Sequence, residues 1–117
     1  MTPLATPIRV EFIGGRNVRV LEAITWSGPY PMRIPADFVS DGGTIPAIAW
    51  PVVGHPFSAS VLIAYLLHDA DLAAGHPYRE ATARLDARLR ALQIAHARRW
   101  AIVTAVRVNG WLRSPAG

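Results

Sequence analysis

The chain has 117 residues, which is enough for one domain with a modest hydrophobic core. Its composition, 51% apolar and 17% charged, excludes an intrinsically disordered chain, and the absence of cysteine excludes a disulfide framework and a cysteine-ligated zinc site. All twelve basic residues are arginine and the net charge is +4, which fits either an anionic partner or arginines on ordinary solvated helix faces.

The N-terminal third of the chain has the pattern of short β-strands. Residues 8–13 alternate apolar and polar side chains with a period of two, and residues 18–24 form a second such segment after the Gly14-Gly15 turn. We expect these two segments to pair as a β-hairpin. Residues 32–35 predict a short strand at the edge of the sheet, because Pro35 has no backbone N–H to donate.

The rest of the chain has the pattern of helices that follow a glycine-rich loop at about 40–46. We predict helices over about 59–74, 77–93 and 95–112, and a further short helix that Thr44 caps and Pro46 opens. The sequence thus predicts an α+β fold, in which a small N-terminal antiparallel sheet packs against three to four C-terminal helices. We expect residues 1–117 to form a single domain.

Neither a membrane span nor a secretion signal is predicted. The longest apolar runs are shorter than the roughly 18 residues of a transmembrane helix. The first seven residues lack both a charged region and an apolar core of the kind that signal peptides carry.

The most informative stretch is the end of the first long helix, where an apolar run leads into His68, Asp69 and Asp71. Buried ionisable groups are costly unless they are paired or functional. One interpretation is a catalytic centre in which His68 is a general base oriented by Asp69 or Asp71. Another is a metal site of His68, Asp71 and Asp41. A third is a purely structural histidine whose charge complements the helix C-terminus.

The glycine-rich loop is a second candidate for binding. Asp41 offers a carboxylate to a cation, and Gly42, Gly43 and Thr44 offer backbone N–H groups to an anion. The alternative is a helix-capping turn in which a glycine is needed for its conformation.

The last helix interleaves arginine and tryptophan, and its members are Arg98, Arg99, Trp100, Arg107, Trp111 and Arg113. This cluster could bind phosphates or stack on bases, or it could be a core-facing tryptophan stripe flanked by solvated arginines. No helix-turn-helix spacing or RNA-binding motif accompanies it, so we predict no specific nucleic-acid binding. Arg107 interrupts an apolar stretch, and we expect it to pair with Asp69 or Asp71.

Several of these segments together resemble a family of phage and prophage proteins, the domain-of-unknown-function family 1353. The likeness covers residues 34–46, His68-Asp69, residues 98–100 and residues 105–111. The chain departs from the family's pattern at Leu72, where the family has tyrosine, and at Thr82, where it has aspartate. The resemblance implies a phage setting, with the protein in the host cytoplasm or the virion.

Two functions are compatible with the resemblance. The first is a metal-assisted hydrolase, with a divalent metal ion as cofactor, that acts on a cell-envelope component. An acidic glycine-rich loop beside a helical His-Asp pair is similar to the secreted phospholipases, which implies that the loop and an aspartate hold calcium while His68 activates water. The second is a non-catalytic virion or tail-assembly component that contacts other virion proteins, in which the His-Asp cluster is structural.

Overall fold

The computed structural model describes residues 8–13, 17–40 and 59–113. In these ranges five short strands precede three helices: β1 Val10–Phe12, β2 Val18–Val20, β3 Ile24–Trp26, β4 Met32–Ile34, β5 Val39–Ser40, α1 Ala59–Ala73, α2 Tyr78–Ala91 and α3 His96–Arg113. The predicted α+β class is confirmed, and each helix begins and ends within two residues of its predicted limits. The short helix predicted after Thr44 lies outside the described residues, and the single-domain organisation stays a prediction. No helix in the described ranges is long and apolar enough to cross a membrane.

The strands form two antiparallel sheets, where the sequence predicted one. The order is β1-β2-β5 in the larger sheet and β3-β4 in the smaller one. The predicted hairpin is present, with Val10 opposite Val20, but its second strand ends at Val20 and does not run on to residue 24. The strand predicted over residues 32–35 is present over 32–34, and its partner is β3.

At the break after β2, both backbone groups of Val20 are bonded to the segment that leads into β5. Its N–H donates to the carbonyl of Phe38 at 2.9 Å, and its carbonyl accepts from Asp37 at 2.7 Å. The segment that leads into β5 therefore holds the far side of β2. The chain bends at residues 21–22 and starts a separate strand.

Helix α1 lies between the sheets and the other two helices. Residues 61–68 are all buried, which is typical of a helix inside a core and explains why its sequence has no polar face. One side packs against the strands, through a cluster that includes Val18, Val20, Ile24, Trp26, Ile34, Leu62, Leu66 and Leu67. The other side packs against α2 and α3, through Val61, Ala64, Tyr65, Leu85, Leu89, Ile102 and Val106.

The end of α1 is fixed by a Schellman motif. Gly75 has φ +96°, and its N–H donates to the carbonyl of Leu72 at 3.0 Å. The N–H of His76 reaches back to the carbonyl of Asp71 at 3.1 Å. The turn of helix that carries Asp71 is thus held in place by its backbone as well as by its side chain.

Helices α2 and α3 approach closely where Gly110 faces the ring of Tyr78. A Cβ atom at position 110 would overlap the ring carbons of Tyr78. That ring is itself held, because the Tyr78 hydroxyl donates to the carbonyl of Val106 at 2.9 Å. Glycine at 110 therefore sets how closely the two helices pack.

We expect Gly110→Ala to lower the free energy of unfolding by about 1–3 kcal/mol through overpacking, although alanine is the better helix former by about 1 kcal/mol. Urea unfolding measures the change. In a Tyr78→Leu background the same substitution should cost less, because the leucine side chain can move aside. An undiminished cost in that background would contradict the proposed contact.

Candidate functional site

The three ionisable residues at the end of α1 lie in different surroundings. His68 is fully buried, the Asp71 side chain is 1% exposed, and the Asp69 side chain is 16% exposed. Because successive helical residues point about 100° apart, one short stretch can serve two separate sites. The structure brings His68 and Asp69 together and places Asp71 in a cluster of its own.

Asp71 is bound by arginines of α2 on both carboxylate oxygens. Nη1 of Arg88 lies 2.6 Å from Oδ2, and Nη1 of Arg84 lies 3.6 Å from Oδ1. Arg88 is as buried as Asp71, so this is an ion pair that is shielded from water. The geometry favours a structural role for Asp71 over the predicted catalytic or metal-binding role.

Arg88 also holds the loop between β3 and β4. Its Nη2 donates to the carbonyl of Tyr30 at 2.7 Å, and its Nε donates to the carbonyl of Pro29 at 3.3 Å. The indole N–H of Trp26 donates to the same Pro29 carbonyl at 2.8 Å. One guanidinium thus connects α1, α2 and the smaller sheet, and the planar fork of arginine suits such convergent acceptors.

The sequence predicted Arg107 as the partner of a buried carboxylate, and for Asp71 that prediction is wrong. Arg107 is exposed on α3, whereas Arg88 occupies the position beside Asp71. Arg88 was missed although helical spacing could have found it. It lies three residues after Leu85 and next to Leu89, within the stripe that packs against α1.

His68 faces α2 through its Nε2 atom. That nitrogen lies 3.5 Å from Oγ1 of Thr82, whose own hydroxyl proton is donated to the carbonyl of Tyr78 at 2.8 Å. Because the hydroxyl proton is engaged in the shorter of the two contacts, we infer that Thr82 accepts from the imidazole and that the ring proton lies on Nε2. The ring of Tyr78 packs edge-on against the imidazole at a centroid distance of 5.4 Å and fixes its plane.

The other ring nitrogen, Nδ1, is buried and has no hydrogen-bond partner among the described residues. It lies 3.9 Å from Oδ1 of Asp69. With the proton on Nε2, a lone pair faces a carboxylate oxygen, and two acceptors at that separation need a donor between them. A water molecule that donates to both atoms satisfies this requirement.

Asp69 connects this pair to the glycine-rich loop. The hydroxyl of Ser40, the last residue of β5, donates to Oδ2 of Asp69. Ser40 is also the first residue of the glycine-rich loop predicted over about 40–46, so this one described position of the loop contacts Asp69. Asp41, Gly42, Gly43 and Thr44 themselves lie outside the described residues, and their predicted roles stay predictions.

The predicted metal site cannot be assembled from the described part of the chain alone. Within residues 8–13, 17–40 and 59–113, no group of three histidine, aspartate or glutamate side chains is placed to hold a metal ion. Asp69 faces His68, whereas Asp71 is bound by two arginines, so Asp69 is the better candidate ligand. Asp41, which the sequence placed in the same site, falls outside those ranges.

A further buried polar group lies on the same helix as His68. The hydroxyl of Tyr65, on α1, has no hydrogen-bond partner among the described residues. Burial raises the pKa of this phenol, and the nearby charge of Arg98 opposes the rise only in part. Tyr65 therefore stays protonated and neutral at physiological pH.

The ion pair of Asp71 and Arg88 should dominate the response of stability to charge mutations. We expect Asp71→Asn to lower the free energy of unfolding by about 3–5 kcal/mol, because it leaves Arg88 buried without a counter-charge. Glu80→Gln, which removes an exposed partner of Arg84, should cost less than about 1 kcal/mol. Denaturant unfolding compares the two variants. Similar decreases in the free energy of unfolding of both variants would show that the buried ion pair stabilises the fold no more than the exposed one.

The tautomer of His68 can be read directly from the ¹⁵N shifts of its ring nitrogens. We expect the Nε2–H form in the folded protein at neutral pH. Thr82→Val, which removes the acceptor, should weaken that preference, whereas the matched change Thr104→Val on α3 should leave the His68 spectrum unchanged. A proton found on Nδ1 in the unmodified protein would refute the assignment.

No family model, curated protein or solved structure matches the chain. The resemblance to domain-of-unknown-function family 1353 therefore stays a prediction, together with the phage setting that it implies. The candidate site is defined by the geometry of His68, Asp69, Ser40 and Thr82.

Proposed function

We propose that this protein is a small hydrolase of phage or prophage origin in which His68 activates water to attack a cell-envelope component. The observation that carries the proposal is the buried Nδ1 atom of His68, which has no hydrogen-bond partner among the described residues and lies 3.9 Å from Oδ1 of Asp69. A buried polar atom left unsatisfied costs about 1–3 kcal/mol, and such costs are concentrated at functional sites.

The chemistry requires one water molecule between His68 and Asp69. The water oxygen attacks an electrophilic carbon of an ester while one of its protons passes to Nδ1. The bond to the leaving alcohol then breaks, and the proton passes from the imidazolium to the alcohol oxygen. Asp69 stabilises the imidazolium between these two steps, and the contact of Nε2–H with Thr82 keeps the ring in position.

Ser40 contributes by holding Asp69. Its hydroxyl donates to Oδ2, which leaves Oδ1 directed at the imidazole. The serine hydroxyl lies beside the carboxylate and has the role of a positioning group.

A divalent cation would fit this proposal if Asp69 and Asp41 both supplied oxygen ligands. Hard cations such as Ca²⁺ prefer carboxylate and backbone carbonyl oxygens, and a glycine-rich loop can offer both. A bound cation would polarise the carbonyl of the substrate. The proton transfers assigned to His68 do not depend on it.

The second candidate function is a non-catalytic virion or tail-assembly component. The complete burial of His68 and the saturation of Asp71 by two arginines favour it, because both are features of a polar core that specifies a fold. In that case the packing of the rest of the core offsets the free-energy cost of burying Nδ1 of His68 without a partner. Substitution of His68 then changes the stability of the protein and no catalytic activity.

We expect His68→Ala to lower the rate of hydrolysis by at least about 100-fold, the contribution typical of a general base. A pH-stat measures acid release from isolated bacterial envelopes, which registers ester cleavage whichever envelope ester is the substrate. His76→Ala, in the turn between α1 and α2, is the matched control and should retain full activity. If no acid is released by the unmodified protein, or if His68→Ala matches it, the non-catalytic function is the correct one.

Cation binding has a readout that is independent of activity. We expect Ca²⁺ to raise the unfolding temperature of the unmodified protein, since a ligand at about 100 times its Kd stabilises by about 2.7 kcal/mol. Asp69→Asn should remove the rise, and Asp86→Asn, on α2, should keep it. Unfolding temperatures that do not respond to Ca²⁺, Mg²⁺, Mn²⁺ or Zn²⁺ would exclude the cation from the proposal.

A further inference from the structure

Helix α3 presents an exposed face that mixes apolar side chains with positive charge. Trp100 is 65% exposed and Val108 is 47% exposed, and both Ala97 and Arg107 are exposed as well. Ala97 lies three residues before Trp100, and Arg107 and Val108 lie seven and eight residues after it. This spacing places the four residues on one side of the helix. The opposite side, with Ile102 and Val106, is buried against α1 and α2.

The charge of α3 is of one sign. Its 18 residues include four arginines and neither aspartate nor glutamate. Arg99 is neutralised from outside the helix, because its Nη1 lies 2.7 Å from Oδ1 of Asp86 on α2. Arg107 lies on the exposed face itself, about two helical turns after Trp100, and adds positive charge to that face.

This combination fits a surface that is negatively charged and offers an apolar layer just beneath its charges. Tryptophan prefers the boundary between lipid headgroups and acyl chains, and arginine beside it pairs with lipid phosphates. A duplex nucleic acid offers phosphates but no apolar layer for Trp100 and Val108 to enter. We propose that the α3 face, made of Ala97, Trp100, Arg107 and Val108, binds the surface of a bilayer that contains anionic lipids.

The proposed binding is peripheral and does not depend on the hydrolytic proposal. The helix would lie along the bilayer surface, with its apolar side chains at the headgroup level. The surface lies on α3 and the candidate site lies on α1, so each can fail without the other. His68→Ala should bind vesicles as well as the unmodified protein does.

The test is co-sedimentation with phosphatidylcholine vesicles that contain or lack phosphatidylglycerol, at low and at high salt. We expect binding to the anionic vesicles at low salt, and a loss of that binding at high salt as the charges are screened. Arg107→Gln should lower the partition coefficient about fivefold, and Trp100→Ala should lower it about tenfold or more. Val108→Ser is a second apolar variant that should weaken binding in the same direction.

Arg33→Gln is the matched control, because it removes the same charge from an exposed position on β4. It should change binding less than twofold if the α3 face makes the contact. Equal effects of Arg33→Gln and Arg107→Gln would overturn the proposal in favour of a general charge effect. The proposal would also be overturned if vesicle binding were the same with and without phosphatidylglycerol, or if Trp100→Ala bound as well as the unmodified protein. Binding of single-stranded DNA in place of vesicles, lost in Trp100→Ala, would identify a nucleic-acid surface instead.

Discussion

Arg88 and Asp71 bring two full charges into the interior, where each loses several kcal/mol of hydration. This loss is offset by the 2.6 Å contact between Nη1 of Arg88 and Oδ2 of Asp71. It is also offset by the hydrogen bonds of Arg88 to two main-chain carbonyls in the β3–β4 loop. The pair joins α1 to α2 and both helices to the smaller sheet. Such a network has one arrangement in which its donors are satisfied, so it selects a single packing of these elements.

The same ion pair gives different roles to Asp69 and Asp71, which the sequence analysis had assigned to one site with His68. With Asp71 occupied by Arg84 and Arg88, the carboxylate that faces His68 is Asp69, which contacts Ser40 at the start of the glycine-rich loop. On the α2 side, Thr82 and the ring of Tyr78 contact the imidazole and restrict its orientation. Under the proposed function, one ring nitrogen of His68 holds the ring in place and the other accepts a proton, which is the arrangement that general-base chemistry requires.

Much of the architecture follows from local patterns in the sequence. The 3.6-residue periodicity of α2 and the unbroken apolar run of α1 predict the helices, and the hairpin follows from alternation on either side of a glycine turn. The split into two sheets could not be predicted, because it depends on hydrogen bonds between Val20 and residues near Phe38 that are far apart in the chain. The His68-Asp69 pair was found from its position at the end of a buried helix. Arg88 was missed because an arginine on a helix is usually solvated, although its position in the stripe of Leu85 and Leu89 places it on the buried face.

The placement of His68 allows one direct measurement of the proposed site. A crystal structure at high resolution would show what lies between Nδ1 of His68 and Oδ1 of Asp69. We predict an ordered water molecule within about 3 Å of both atoms, replaced by a cation or a substrate oxygen when ligand is bound. A protein donor bonded to Nδ1 would contradict the assignment of His68 as a base and would leave a structural core histidine.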